Sequence, residues 1–264
     1  MISTVEDPAD PRLDDFRNMT DADVRPDRRG IVIAEGVNVV ERMARSPYRV
    51  RAVVGVAARI EALQPLLETL DAPAYVVDKW VLSDAVGFRV TRGVLASATR
   101  PEPPDLAHLL ASSSRIAVLE ALNDFENLGA LFRNAAAFGV DAVLLDPSCA
   151  DPLYRRSVRV SMGHVLSVPF AELPAPWPES LLAVRAAGFA ILALTPGGDT
   201  VLRDVEPPPK WAVLLGAEGP GLSEDTLRVA DRHVRIPMAS GVDSLNVATA
   251  AAVAFAHLTT PPDG

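Results

Sequence analysis

Residues Arg115–Gly139 read RIAVLEALNDFENLGALFRNAAAFG: an apolar run, a polar loop, then a helix-like segment with apolar residues at Leu128, Leu131, Phe132 and Ala135. A short continuous apolar run bounded by turn residues fits a strand buried on both faces, and the spacing that follows it is helical. The unit repeats downstream. VDAVLL, HVLSVPF, FAILALT, WAVLLG and HVRIPM read as strands, and the segments near Glu179–Ala187, LSEDTLRVA and SLNVATAAAVAFAHL read as helices. Strands with little polar alternation, separated by helices, predict an α/β fold with a parallel sheet covered on both faces. Ligands of such sheets collect beyond the carboxyl ends of the strands.

Upstream, IVIAEGVNVVERMARS, VRAVVGV, ARIEALQPLLETL, AYVV and GVLASA predict a second, smaller α/β unit over residues 28–98. The run RPEPPD at Arg100–Asp105 breaks regular structure, because each proline lacks an amide donor and restricts its predecessor. A linker is therefore expected over 99–110 and a second domain over 111–264. Residues 1–27, polar and rich in Pro and Asp, are expected to be a tail, mobile or draped on a partner.

The chain of 264 residues has 25 Lys plus Arg against 34 Asp plus Glu, a net charge of −9. That excludes indiscriminate coating of nucleic acid, but not a local basic site. Residues 28–95 hold ten basic against seven acidic side chains, the most favourable stretch for a polyanion. Arg42, Arg45, Arg49 and Arg51 there, and Arg155, Arg156 and Arg159 further on, are candidate RNA-phosphate contacts. Arg155 and Arg159, four apart, share a helix face that is either solvated or turned to RNA. The single cysteine, Cys149, cannot form an intrachain disulfide, the N-terminus has neither a basic start nor an apolar run, and no membrane span is visible. These features predict a cytoplasmic protein. The four histidines and one cysteine show no metal-ligand spacing, so no metal is expected.

Three loops carry unusual loads. Asn123–Gly139 leads through Asn127 into a helix bearing Arg133, and Asn127 alone could be a helix cap. Leu214–Ser223, LLGAEGPGLS, is a glycine turn holding Glu218 and lacking the ending of a phosphate-binding P-loop. Arg235–Ala252, RIPMASGVDSLNVATAAA, runs from a strand through Ser244 and Asn246 into an alanine-rich helix, with Ser244 the expected cap.

In this order and spacing the loops resemble the three motifs of the SpoU (TrmH-like) branch of the SPOUT superfamily, S-adenosylmethionine-dependent RNA ribose 2′-O-methyltransferases. The resemblance covers residues 115–258, and more loosely 30–98, which look like the ribosomal-protein-like RNA-binding domain of many members. It implies a trefoil knot in the parallel sheet and a homodimer. It also implies catalytic roles for Asn127, Arg133, Glu218, Ser244 and Asn246, with S-adenosyl-L-methionine held by Leu194, Thr195, Pro196, Gly216, Gly219, Ile236, Met238 and Leu245. Ala248 departs from the serine that the family often has there. Because a guanidinium has a pKa above ~12, Arg133 is expected to clamp the ribose and phosphate rather than accept a proton. The competing reading is a non-catalytic RNA-binding or ribosome-assembly protein that keeps the fold.

Overall fold

The computed structural model describes residues 2–20 and 26–259, which divide into two compact units. The first comprises residues 1–102 together with 152–167, and the second residues 103–151 and 168–264.

In the first unit, β1 (Ile2–Thr4), β2 (Ile31–Glu35), α1 (Val37–Arg45), β3 (Val50–Gly55), α2 (Ala57–Ala62), α3 (Gln64–Leu67), β4 (Ala74–Val76), α4 (Lys79–Val86) and β5 (Val94–Thr99) follow in chain order. The strands form one sheet in the order β1-β4-β3-β5-β2. β1, β4 and β3 run parallel, and β5 is antiparallel to both its neighbours. The expected tail is therefore corrected: Ile2–Thr4 is an edge strand, and Leu13, Phe16 and Met19 are buried in the core with Ile33, Val54 and Leu95. Residues 21–25 of that segment lie outside the described residues. An edge strand of three residues is too short to show a period, and buried positions on a short 3-10 turn are equally hard to read.

In the second unit the chain runs through α5 (Leu106–Ser112), β6 (Arg115–Glu120), α6 (Phe125–Ala137) and β7 (Ala142–Leu145). It then enters α7 (Arg155–Val160), which packs on β2 and belongs to the first unit. The boundary expected at 111 is corrected accordingly. Leu109 and Leu110, expected in a linker, lie in the second core, and the segment 152–167 is lent to the first. The chain returns with β8 (Phe170–Glu172), α8 (Leu181–Ala186), β9 (Ala190–Leu194), β10 (Thr200–Val201), β11 (Trp211–Gly216), α9 (Glu224–Val229), β12 (Arg232–Arg235) and α10 (Val247–Leu258). The strand expected at HVLSVPF is shorter; His164–Leu166 is a 3-10 turn and only its last residue, Phe170, starts β8.

The second sheet is parallel throughout, in the order β10-β12-β9-β11-β6-β7-β8. Ile116, Ala117, Val118 and Leu119 of β6 are completely buried, as the continuous apolar run requires, each large side chain contributing about 1.5–3 kcal/mol. α10 packs on α6 and β11 through Ala248, Ala251, Ala254 and Phe255, and Phe255 stacks on Trp211 with ring centroids 6.2 Å apart. Small residues let α10 approach closely enough for Asn134 Nδ2 to donate to the Ala248 carbonyl at 2.7 Å. Because β12, β9, β11 and β6 are adjacent and parallel, the loops that follow them open on one edge of the sheet.

Candidate functional site

At that edge lies a cleft of about 650 Å³. Three of its walls are the turns after β9, β11 and β12: Leu194–Pro196, Leu215–Leu222, and Ile236, Met238 and Asp243–Leu245. All eight residues expected around a cofactor line it: Leu194, Thr195, Pro196, Gly216, Gly219, Ile236, Met238 and Leu245.

Local geometry explains why these loops hold their shape. A Cβ on Gly216 would sit 2.2 Å from the carbonyl carbon of Gly221, so only glycine lets the loop fold back on its own strand. Gly221 then donates its N–H to the Ala217 carbonyl at 3.0 Å, closing the arch, while Gly219 lines the cleft at φ +92°. The β9 loop is fixed from outside, where Arg235 Nη1 donates to the carbonyls of Gly198 at 2.7 Å and Asp199 at 2.8 Å. Arg235 was not among the residues singled out in the sequence, since its partners lie 36 and 37 positions away.

Asn246 sits at the mouth. Its Oδ1 accepts from the backbone N–H groups of Ala248 at 3.0 Å and Thr249 at 3.1 Å, so Asn246, not Ser244, caps α10. That orientation turns Nδ2 outward, where it donates to Asn127 Oδ1 at 2.7 Å and to Glu218 Oε1 at 2.6 Å. One amide thus ties together the three sequence motifs, 119 and 28 residues apart. Asn127 is free for this because Asp124 caps α6 in its place, accepting from the amides of Glu126 and Asn127. Ser244 lines the cleft and is exposed, outside this hydrogen-bonded set. Arg133 is exposed on α6 and makes no hydrogen bond or ion pair among the described residues. Six positions beyond Asn127, it projects about 240° around the helix from it. Ala248, the departure from the family pattern, is buried and enters the network only through its backbone.

The arginines expected on RNA divide. Arg155 Nη1 donates to Glu35 Oε2 at 3.1 Å, and Arg159 Nη1 lies 3.8 Å from the same oxygen. Glu35 is buried, and Arg155 also stacks over Phe88 with its guanidinium 4.3 Å from the ring centroid. The expected phosphate role thus meets an internal competitor: Arg155, and more loosely the half-exposed Arg159, lie against a buried carboxylate. Arg42 likewise donates to the Met162 carbonyl, and Arg51 to Asp15 at 2.8 and 3.0 Å. Arg45, Arg49 and Arg156 are exposed.

Among the described residues no group of three or more metal-ligating side chains comes together, and no helix is long and apolar enough to cross a membrane. Cys149 is largely enclosed, and burial first, then Asp146, pushes its thiol well above the ordinary range, which keeps it protonated and unreactive.

Residues 114–256, more than half of the chain and spanning all three loops, match the SpoU rRNA Methylase family. The chain belongs to this family of RNA methyltransferases. An uncharacterized tRNA/rRNA methyltransferase of Mycobacterium bovis is 48% identical over 262 residues, 96% of this chain and 90% of that protein. The 23S rRNA (guanosine(2553)-2′-O)-methyltransferase RlmP of Bacillus subtilis is 24% identical over 226 residues, 86% of this chain and 87% of that one. Among solved structures, the AdoMet-bound rRNA methyltransferase from Sinorhizobium meliloti superposes with a TM-score of 0.82 at 24% identity, covering 97% of each chain. The SpoU methyltransferase AviRb from Streptomyces viridochromogenes, in complex with AdoMet, gives 0.81 at 24% identity over 95% of this chain and 97% of that one. These likenesses show that the chain shares the α/β fold of those proteins, as expected, with a parallel sheet in its second unit.

Proposed function

We propose that the protein is an S-adenosylmethionine-dependent methyltransferase acting on a ribose 2′-OH of rRNA or tRNA, as a cytoplasmic homodimer whose parallel sheet carries a trefoil knot. The observation that carries the reading is the Asn246 amide joining Asn127 and Glu218 at the mouth of a cleft built from three strand-end loops.

The residues present fit the cofactor. Leu194, Leu215, Ile236 and Val247 give the cleft apolar walls for an adenine, and the Gly216–Gly221 arch brings main chain to its edge. Supplied there, S-adenosylmethionine offers a methyl group on a positively charged sulfur, which becomes neutral on transfer. The chain's own task is alignment and exclusion of water. Asn127, Glu218 and Asn246 hold the loops in register, and Ser244 presents a hydroxyl to the same space. Arg133, with a planar fork of donors, suits the ribose and its neighbouring phosphate. The first unit, with exposed Arg45 and Arg49, would supply further RNA contacts.

Calorimetry with S-adenosylmethionine tests the cofactor half of the proposal: micromolar binding is expected, and no detectable binding favours the non-catalytic reading. Mapping 2′-O-methyl sites in rRNA and tRNA from cells with and without the gene tests the substrate half. Loss of one site is the expected result, and an unchanged map overturns it.

A further inference from the structure

Glu120, the last residue of β6, is 7% exposed and lies beside Gly216 in the sheet register. It belongs to none of the residues assigned above. A carboxylate buried at a strand end is costly unless its oxygens are satisfied, and here four donors converge on it. Oε1 accepts from Ser223 Oγ at 2.7 Å, Thr226 Oγ1 at 2.9 Å and Trp177 Nε1 at 2.9 Å, and Oε2 accepts from the Ser223 backbone N–H at 3.0 Å. Ser223 Oγ in turn accepts from the Thr226 N–H at 3.2 Å, capping α9.

Ser223 is where the glycine arch ends. The arch starts at Gly216, which β11 holds opposite Glu120, and it returns to the same carboxylate through Ser223. Both ends of the eight-residue connection Gly216–Ser223 are therefore fixed at one point, while its middle, Ala217–Gly221, is partly or fully exposed and forms a wall of the cleft. Two glycines at positive φ, Gly219 and Gly221, make that middle soft when its ends are released.

We infer that Glu120 is a positioning residue for the cofactor cleft: it clamps Ser223, Thr226 and Trp177 so that the Gly216–Gly221 arch and Glu218 are held in binding geometry before the cofactor arrives. The inference rests on the cofactor reading of the cleft given above. Its consequence is preorganisation. When the binding-competent arrangement is only fractionally populated, the apparent dissociation constant rises by the inverse of that fraction.

The test uses the full-length protein and S-adenosylmethionine in calorimetry, at a temperature well below each variant's melting midpoint. Glu120→Gln keeps the shape but replaces one acceptor by an amide donor facing other donors. It is expected to raise the dissociation constant about tenfold. Thr226→Val, which removes one donor at nearly constant volume, is expected to raise it about threefold and keeps the test available if Glu120→Gln does not fold. Adding Ser223→Ala to Glu120→Gln should weaken binding less than twofold further, because the shared contact is already gone. A residue of purely structural importance would lower the melting temperature and leave the affinity of the folded protein unchanged. That result in both variants overturns the inference while leaving the cofactor reading intact. Absence of binding by the wild-type protein overturns the cofactor reading, and this inference with it.

Discussion

Two clusters of polar side chains in this protein are built in opposite senses. In the second unit Asn127 and Glu218 both accept from the Asn246 amide at the rim of an open cleft. In the first unit Arg155 and Arg159 turn inward onto Glu35, of whose side chain only 2% is exposed. Each cluster sets a glutamate against nitrogen donors, amide in the one and guanidinium in the other. What separates them is whether a buried counter-charge waits within reach, and in the first unit that partner is 120 residues away.

The largest effect expected from this contrast concerns cutting the chain. Residues 103–264 alone would strip the covering from Leu153, Val158, Val165 and Leu166, all buried in the first unit's share of the structure. Such a fragment is expected to aggregate or to give no cooperative transition on heating. A cleanly folded fragment would show that the segment 152–167 is an ornament rather than a part of the first core.

Arg133→Ala comes next. Methyl transfer should fall by about 10³-fold or more with S-adenosylmethionine affinity within about twofold, since the role assigned to it lies on the RNA side. Arg133→Lys should recover little, because an ammonium cannot reproduce the fork. Turnover near that of the wild type would remove Arg133 from the site.

Glu35→Ala sharpens the comparison from the other side. Leaving Arg155 enclosed without its partner should cost about 3–5 kcal/mol of stability, measured by denaturant unfolding, with cofactor affinity of the folded protein unchanged. Asn246→Ala should show the reverse balance. Loss of the α10 cap costs only about 1 kcal/mol, whereas the loss of the link between three motifs should abolish detectable transfer.

The smallest effect is acid sensitivity of the first unit. Burial works to raise the pKa of Asp15, but hydrogen bonds from Arg51 and Ser97 outweigh it, and the carboxyl lies below its ordinary value. A group depressed in the folded state contributes stability above its unfolded pKa and loses it as pH falls through the folded one. Asp15→Asn should therefore lower the melting temperature at neutral pH, where the charged carboxylate contributes, and flatten its fall below about pH 4, where the wild type loses that contribution too. A profile identical to that of the wild type would assign the acid sensitivity elsewhere.

How far the sequence could be read follows from the same distinction. The parallel strands of the second unit announce themselves because both faces of each are buried, so the apolar run is continuous. The three loops stand out because glycine and polar residues interrupt those runs at strand ends. The edge strand Ile2–Thr4 is too short to show a pattern, and the loan of 152–167 to the first unit leaves no local trace. Capping was misplaced by two or three residues, at Ser244 for Asn246 and at Asn127 for Asp124, because several side chains in each turn are competent acceptors and only the backbone path chooses between them. The arginine pairings are non-local, so no window of sequence contains them.

The most direct measurement is methyl transfer itself. Purified protein is incubated with S-adenosylmethionine labelled in its methyl group and with unmodified rRNA and tRNA, and the RNA is digested to nucleosides and resolved by mass. Label confined to a 2′-O-methylated nucleoside with the wild-type protein, and absent with Asn246→Ala, is the predicted result. Label on a base, or equal transfer by both proteins, would contradict it.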